Sequence, residues 1–321
     1  MLVYILKRLL SMIPLLLIIA LLVTAIIDLT PGDPVLLLLG SDVTPGQVEE
    51  TREALGLDDP FLVRYGRFVL SVLQGDFGNS FTNGRPVTEE LLDRFPNTFK
   101  LALISTIASA LIGIPVGIYA ATKQYTWKDN AAMFLALFFV SMPAFWFALM
   151  LIRFFAVQLG WLPTLGIETW KGWVLPCAVL AINFAAIMAR QMRSNLLEVI
   201  RHDFVTTARS KGLHERKVLY KHGLKNAIIP VIQVIGNMFA LMLSGSMITE
   251  IIYSIPGVGL YVLSGLRNRD YPVIQGSVMF FSIITIAVFL LTDIAFTAVD
   301  PRIHSQFFKK QKKNVKKVES V

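Results

Sequence analysis

Long runs of apolar residues constrain this chain more than any other feature of its sequence. A helix needs roughly 20 mostly apolar residues to cross the hydrocarbon core of a bilayer. Runs of that kind extend over about 9–27, 99–121, 131–157, 173–189, 227–252 and 274–299. We therefore predict an all-α membrane protein with six transmembrane helices.

The composition excludes the other broad classes of protein. The 321 residues are 55% hydrophobic and only 16% charged, and the mean hydropathy is +0.62. Soluble domains carry about 25% charged residues, and disordered chains need low hydrophobicity. Because Cys177 is the single cysteine, a disulfide framework is also excluded. On a membrane protein the net charge of +8 does not indicate binding to nucleic acid.

The distribution of Lys and Arg predicts how the chain crosses the membrane, because cytoplasmic loops carry an excess of both. If the N-terminus is cytoplasmic, twenty of the 30 basic residues fall in cytoplasmic segments. Nine of these lie between Arg190 and Lys225, and seven lie from Arg302 onward. We therefore expect both termini to be cytoplasmic and the basic tail to lie near anionic lipid.

Residues 30–98 form a long segment that we expect outside the cytoplasm. It opens with the turn sequence Pro31-Gly32-Asp33-Pro34. A capped helix is predicted from Thr44-Pro45-Gly46-Gln47 to Gly56. A second is predicted from Asp59-Pro60, with one apolar side formed by Phe61, Tyr65, Phe68, Val69, Val72 and Leu73. The segment is either a helical cap over the spans or a docking surface for an outside partner.

Small residues at helical spacing predict close helix packing inside the membrane. Gly113, Gly117 and Ala121 follow one another every four residues in the second span, and Gly236, Ala240 and Ser244 do so in the fifth. Kinks are expected at Pro115, Pro143 and Pro176. Asn183 and Asn237 are expected to form interhelical hydrogen bonds, although they could also line a path through the membrane.

Sequence patterns for catalysis are missing. The sequence contains neither a G-x-x-x-x-G-K-[ST] phosphate loop nor an H-E-x-x-H metal motif. We interpret the four histidines as solvated residues and Cys177 as a packing residue. The charged residues within or beside spans, Asp28, Arg153 and Asp293, lie near span ends, which favours interfacial roles over an ion relay. We therefore predict that the chain is not an enzyme and binds neither metal nor cofactor.

One basic segment, residues 203–225, decides the functional interpretation. Thr206-Thr207-Ala208 is followed by Gly212-Leu213 and later by Ile228-Ile229-Pro230. This pattern resembles the coupling loop of bacterial ATP-binding-cassette (ABC) importer permeases, in which an acidic-Ala-Ala triplet precedes the glycine; threonines replace its first two residues here. We expect Gly212 to supply a turn between two short helices, and the small Ala208 to let the loop sit close in a groove of a partner. Without the resemblance, an amphipathic loop on anionic lipid would be the default interpretation.

Further motifs resemble the B-type permeases of dipeptide, oligopeptide and nickel importers. The resemblance extends from residue 1 to about 304. The motifs that carry it are Leu6-Lys7-Arg8, Pro31-Gly32-Asp33-Pro34, Leu55-Gly56-Leu57-Asp58, Gly75-Asp76-Phe77-Gly78-Asn79-Ser80-Phe81, Gly84-Arg85-Pro86-Val87, Ser141-Met142-Pro143-Ala144-Phe145-Trp146, Ile255-Pro256-Gly257-Val258-Gly259, Asp270-Tyr271-Pro272-Val273-Ile274-Gln275 and Asp300-Pro301-Arg302-Ile303.

The resemblance implies a type I ABC importer transmembrane domain with an extra extracytoplasmic helical segment after the first helix. It divides the chain into residues 1–97, a transmembrane domain over 98–300 and a tail over 301–321. Implied partners are a second permease, two ATPase subunits that bind ATP and Mg, and an external solute-binding protein in a bacterial cytoplasmic membrane. Coupling residues carried over are Thr206, Thr207, Ala208, Gly212, Leu213 and Pro230. We expect a peptide substrate, with nickel or a metal chelate as the alternative, and a secondary transporter or channel as a remote one.

Overall fold

The computed structural model describes residues 2–29, 34–39 and 44–299, which form helices joined by loops and one isolated β-bridge. The helices are α1 (Leu2–Leu29), α2 (Pro34–Leu39), α3 (Pro45–Ala54), α4 (Phe61–Leu73), α5 (Val87–Thr122), α6 (Trp127–Ser141), α7 (Ala144–Leu151), α8 (Val174–Ile200), α9 (Asp203–Ser210), α10 (Glu215–Lys217), α11 (Lys225–Gly245), α12 (Met247–Tyr253), α13 (Val258–Asn268) and α14 (Tyr271–Val299). Helices α7 and α10 continue as π-helices over Ile152–Gln158 and Val218–Leu224, and a 3-10 turn over Trp170–Trp173 leads into α8. The Pro31-Gly32-Asp33 part of the predicted turn and the basic tail lie outside the described residues.

Within these ranges, five helical stretches are long and apolar enough to cross a membrane, and two broken pairs raise the number to as many as seven. The all-helical membrane fold is confirmed, but the third predicted span is not continuous. Helix α6 ends at Ser141, Met142 is extended, and α7 begins at Ala144. Pro143 lies at this break because proline cannot donate the backbone hydrogen bond that a helix interior requires. The kink predicted there is a full interruption.

The predicted C-terminal end of the fifth span, at about residue 252, was also wrong. Helix α11 ends at Gly245, and the run continues as the separate helix α12. Helices α12 and α13 are bent by 86° at a short break, a pair that apolar length alone does not reveal. The predicted kink at Pro176 is absent: this residue lies in the first turn of α8, where a missing N–H is tolerated.

The chain divides into two compact units, each built from separate stretches. The first takes the described parts of 1–103, 144–177 and 242–286, and the second takes those of 104–143, 178–241 and 287–321. In the first unit, Phe280 meets Phe77 and Phe95 edge to face, with ring centroids 6.2 and 5.3 Å apart. Helix α4 adds Tyr65, Phe68, Val69 and Val72 to this aromatic core.

The predicted helices after the first span are both present. Thr44 and Gln47 form the predicted capping box at the start of α3, and Gly56 has a φ of +63° beyond its end. Helix α4 begins at Phe61, as expected. Of its predicted apolar side, Tyr65, Phe68, Val69 and Val72 pack into the core, whereas Leu73 is 78% exposed.

Asp270 holds the loop over residues 76–86 against the start of α14. Its buried carboxylate accepts hydrogen bonds from Ser80 Oγ at 2.6 Å, from the Phe81 N–H at 3.1 Å and from the Thr82 N–H at 3.0 Å. A buried carboxylate is tolerated only when such donors replace water. This contact joins two motifs that are far apart in the sequence.

In the second unit, a buried ion pair and an amide hydrogen bond connect α6 to α8. Arg193 donates to both oxygens of Asp129 at 2.6 and 2.7 Å, and the Asp129 side chain is 1% exposed. The Tyr125 N–H adds a third hydrogen bond to Asp129 at 3.1 Å. Asn183 Nδ2 donates to the Phe139 carbonyl at 3.2 Å, which is the interhelical bond that was expected of Asn183.

Candidate functional site

The predicted coupling loop, residues 203–225, begins with the short helix α9. His202 precedes it in an extended conformation, and its carbonyl accepts the first helical hydrogen bond from the Val205 N–H at 2.9 Å. Asp203 places a carboxylate in the first turn, where it complements the positive end of the helix dipole. Thr207 Oγ1 donates to the Asp203 carbonyl at 2.9 Å. These local bonds define the helix in a segment of only eight residues.

Gly212 makes the turn that ends α9. Its φ is +72°, and its N–H donates to the Arg209 carbonyl at 2.9 Å. A Cβ added here would meet no atom within 4 Å, so the conformation rather than the space calls for glycine. The chain then resumes as α10, where His214 Nδ1 accepts from the Arg216 N–H at 3.2 Å. The expected arrangement of helix, glycine turn and second helical piece is therefore present.

The two helical pieces share a small apolar core. Val205 and Val218 are fully buried in it, and Leu213 packs against them. Ala208 belongs to the same core and is only 4% exposed. Its side chain packs inside the loop with Val205 and Val218, and the prediction that its small size lets the loop sit close in a groove of a partner stays a prediction. Its small size serves the internal packing of the loop.

An ion pair closes the loop on its exposed side. Arg209 donates to both carboxylate oxygens of Glu215 at 2.7 and 3.1 Å. Hydrogen bonding to Glu215 raises the pKa of Arg209 above its ordinary value. Because both side chains remain exposed, the pair contributes little free energy of folding. The pair joins α9 to the first residue of α10.

The surface of the loop is part aromatic and part polar. Phe204 is 42% exposed and stacks on the His202 ring, with centroids 5.9 Å apart. Thr206 and Thr207 are exposed beside it. A groove of about 280 Å³ adjoins Phe204 and is lined by Val199, His202, Asn226, Ile229, Pro230 and Phe296. The predicted coupling residues thus divide into a surface that includes Thr206, Thr207 and Pro230, and a core that includes Ala208.

The small residues of the second predicted span lie where two helix backbones approach closely. A Cβ on Gly113 would lie 2.6 Å from the Ala185 carbonyl oxygen, and one on Gly117 would lie 2.5 Å from that of Ala189. Helices α5 and α8 can therefore touch only because these residues lack side chains.

The second row of small residues behaves in the same way at two of its three positions. A Cβ on Gly236 would collide with the Thr292 side chain, and Ala240 is fully buried. Ser244, by contrast, is exposed. The row therefore supports close packing over 236–240 and ends before Ser244.

Sequence reasoning missed Glu250, a fully buried carboxylate in α12. It accepts hydrogen bonds from Thr98 Oγ1 at 2.8 Å, from Ser246 Oγ at 3.0 Å and from the Gly259 N–H at 2.7 Å. It thereby joins α5, α12 and the start of α13. A charged residue within an apolar run was itself the signal that could have revealed this site.

The glycines that follow α12 make room for this carboxylate. A Cβ on Gly257 would collide with the Glu250 carboxylate, and one on Gly259 would lie 2.6 Å from Met247 Cα. Thr98 Oγ1 also accepts from the Val258 N–H at 3.0 Å, so the Thr98 hydroxyl links Glu250 to the backbone of α13. The Ile-Pro-Gly-Val-Gly motif thus contributes backbone N–H donors to a buried polar network.

The part of the chain that the structure describes contains no cluster of side chains suited to binding a metal ion. There, no group of three or more His, Cys, Asp or Glu side chains is placed to hold a metal ion. His202 stacks on Phe204, His214 caps α10, and Cys177 is buried in α8. Each of these side chains has a structural role in its own element.

Comparison with known proteins identifies the family of this chain. Residues 113–305 match the family described as "Binding-protein-dependent transport system inner membrane component", and residues 1–102 match its N-terminal family, "Binding-prot-dependent transport system membrane comp, N-term". The chain belongs to this family. It is therefore an ABC importer permease, a membrane subunit that does not carry out catalysis.

Curated relatives of this permease match it over nearly its whole length. The glutathione transport system permease protein GsiC of Salmonella paratyphi A is 42% identical over 300 residues, which cover 94% of this chain and 98% of the relative. GsiC of Escherichia coli K12 is 39% identical with the same coverage.

Solved structures show the fold of this permease. A chain from the MetNI methionine ABC transporter in inward-facing conformations aligns with a TM-score of 0.58 and 17% identity, covering 66% of this chain and 96% of that one. A chain from an amino acid ABC transporter solved with histidines aligns with a TM-score of 0.53 and 19% identity, covering 66% and 94%. The fold is that of a type I ABC importer transmembrane domain.

Proposed function

We propose that this chain is one of two pore-forming permeases of an ATP-driven importer for short peptides of the glutathione class. The observation that supports this choice of substrate is the 42% identity to a glutathione permease across 94% of the chain. Glutathione is a tripeptide, so this proposal narrows the dipeptide or oligopeptide substrate expected from the sequence.

The loop over 203–225 is the proposed contact with an ATPase partner. Support comes from its compact fold, from the exposed ring of Phe204 and from the adjoining groove that includes Pro230. ATP binding and hydrolysis in the partner would move this loop and bias the permease between two states, so that coupling is a shift of a conformational equilibrium. ATP and Mg would be bound by the ATPases and substrate would be delivered by an external binding protein. This chain would supply half of the pore.

The proposed orientation in the bacterial cytoplasmic membrane follows from charge. The stretch from Arg190 to Lys225 holds nine Lys and Arg residues, and it includes the coupling loop. The positive-inside rule places such a loop in the cytoplasm. Since an even number of crossings separates the two ends of the chain in the predicted topology, both termini would be cytoplasmic. Residues 44–86 would then lie on the opposite side, toward the binding protein.

Uptake by the complete complex tests this function. The permease pair, both ATPases and the binding protein would be reconstituted in proteoliposomes and supplied with labelled glutathione, a labelled dipeptide or nickel with a chelator. We expect ATP-dependent accumulation of glutathione, and none in a matched complex that carries Gly212→Pro, because proline cannot adopt a φ of +72°. ATP-dependent uptake of nickel alone would refute the peptide class, and ATP-independent uptake of any substrate would refute the coupled importer.

A further inference from the structure

Helix α4 has one broad apolar side, and only part of it packs inside the chain. Tyr65, Phe68, Val69 and Val72 pack into the aromatic core of the first unit. The remaining apolar residues lie next to this packed face and are exposed: Leu62 at 71%, Leu70 at 61% and Leu73 at 78%, with Val63 beside them. A stripe of this size on a helix surface marks a contact with a partner or with lipid.

Contacts with α1 define where α4 lies along the length of that helix. The Tyr65 hydroxyl donates to the Leu17 carbonyl at 3.3 Å, and Arg64 forms an ion pair with Asp28. Leu17 lies near the middle of the span Arg8–Leu29, whereas Asp28 lies at its end. At 1.5 Å per residue these two positions are about 16 Å apart along α1. Neighbouring residues of α4 reach both of them, so the helix lies beside the C-terminal half of the span.

That half of α1 corresponds to one leaflet of a bilayer, because the hydrocarbon core is about 30 Å thick. The aromatic core confirms the level, since it joins the packed face of α4 to Leu16 and Ala20 of α1. Helix α1 itself exposes Ile18, Leu22 and Ile26, as a membrane span does. The exposed leucines of α4 therefore lie at the same depth as the apolar surface of a span.

The charges of α4 are compatible with this depth. Arg64 is paired with Asp28, and Arg67 donates to Asp59 at 2.5 Å. Long basic side chains near the edge of a bilayer can also extend their charged ends toward water. The neighbouring helix α3 is different, since its composition is polar, with four charged residues among ten. The polar–apolar boundary of the segment therefore falls between α3 and α4.

We propose that α4 lies within the outer leaflet alongside α1 and that Leu62, Leu70 and Leu73 contact the hydrocarbon chains of lipids. On this proposal the segment after the first span is not wholly external: α3 is in water and α4 is a membrane-embedded brace for the first span. The hydrocarbon chains of lipids then cover the apolar stripe, as they cover the apolar face of a helix that lies in a bilayer interface. The proposal requires the chain to span a membrane, and the choice of the outer leaflet rests on the orientation proposed above. It does not depend on which substrate is imported.

Spin labels can locate the stripe in the assembled complex. Single cysteines would replace Leu62, Leu70 and Leu73 in turn, in a Cys177→Ala background, and the labelled complex would be placed in lipid nanodiscs. Relaxation by oxygen, which concentrates in hydrocarbon, would be compared with relaxation by water-soluble NiEDDA. A label at Glu50 on the polar helix α3 is the matched control, and a label at Leu22 on α1 is the hydrocarbon reference.

We expect labels at the three leucines to be relaxed by oxygen and protected from NiEDDA, as at Leu22, while the Glu50 label is relaxed by NiEDDA. Accessibility of the leucine positions to NiEDDA would overturn the proposal, since the stripe would then face water or an external binding partner. Protection from both reagents would also overturn it, because protein such as the second permease would cover the stripe. ATPase activity of each labelled complex verifies that the labels leave it assembled.

Discussion

Replacing Glu250 by alanine should destabilise the protein strongly. The carboxylate accepts three hydrogen bonds of 3.0 Å or less while fully buried. Hydrogen bonds to a charged group contribute about 1.5–3 kcal/mol each, and a buried donor left without an acceptor costs about 1–3 kcal/mol. The hydroxyls of Thr98 and Ser246 can rotate toward other acceptors, but the Gly259 N–H cannot. We therefore expect a loss of about 3–6 kcal/mol in the free energy of unfolding.

Two matched variants make this estimate testable. Ser246→Ala removes one donor and leaves the other hydrogen bonds of the carboxylate in place, so a loss of about 1 kcal/mol is expected. Glu250→Gln keeps the shape, and its amide can donate to the two hydroxyls while its oxygen accepts from Gly259, so the loss should lie between the others. Unfolding would be followed by SDS titration in mixed micelles. A loss below about 1 kcal/mol for Glu250→Ala would refute the reasoning, because the carboxylate would then not organise this region.

Further substitutions test the loop and the helix contacts. Gly212→Ala should lower the ratio of uptake to ATP hydrolysis, whereas Gly212→Asn should retain most of it, because asparagine tolerates a positive φ far better than alanine; equal effects of the two would argue against a conformational role. Ala208→Asp should loosen the buried loop core by about 2 kcal/mol or more and speed proteolysis of the loop, whereas the exposed Thr207→Asp should not. Gly117→Ala should reduce the midpoint of thermal unfolding, since its Cβ would meet a carbonyl oxygen at 2.5 Å, whereas Gly66→Ala, with open space around it, should raise stability by about 0.5–1 kcal/mol; the reverse order would contradict the close helix approach.

Features that depend on neighbouring residues were predicted correctly from the sequence. The capping box at Thr44 and Gln47 joins residues three apart, and the turn at Gly212 needs only one residue that accepts a positive φ. The spans follow from apolar length, which the bilayer thickness fixes. The resemblance to importer permeases then marked residues 203–225 as the candidate coupling loop, because they match the order and spacing of a known pattern.

Polar contacts that pair specific distant residues were missed, although the hydrogen bond of Asn183 was expected. Thr98 and Glu250 are 152 positions apart, and Ser80 and Asp270 are 190 apart, so no periodicity connects them. The burial of Ala208 also required the position of Val218, which packs over it only after the chain has turned.

Apolar length was a poor guide to where spans are interrupted. Hydropathy does not distinguish a straight span from one that breaks at Pro143, because the residues on both sides of the break are equally apolar. Nor did it place α4, whose level relative to α1 depends on contacts made by Arg64 and Tyr65.

The contact between the loop and an ATPase is the central claim and can be measured directly. A photo-crosslinking phenylalanine at position 204 in the assembled complex would probe the exposed side of α9, and the same residue at the exposed Trp161 would serve as the control. We expect an adduct with the ATPase from position 204 and none from position 161. Adducts with lipid alone at position 204, or with the ATPase at position 161, would contradict the assignment of this loop as the coupling site.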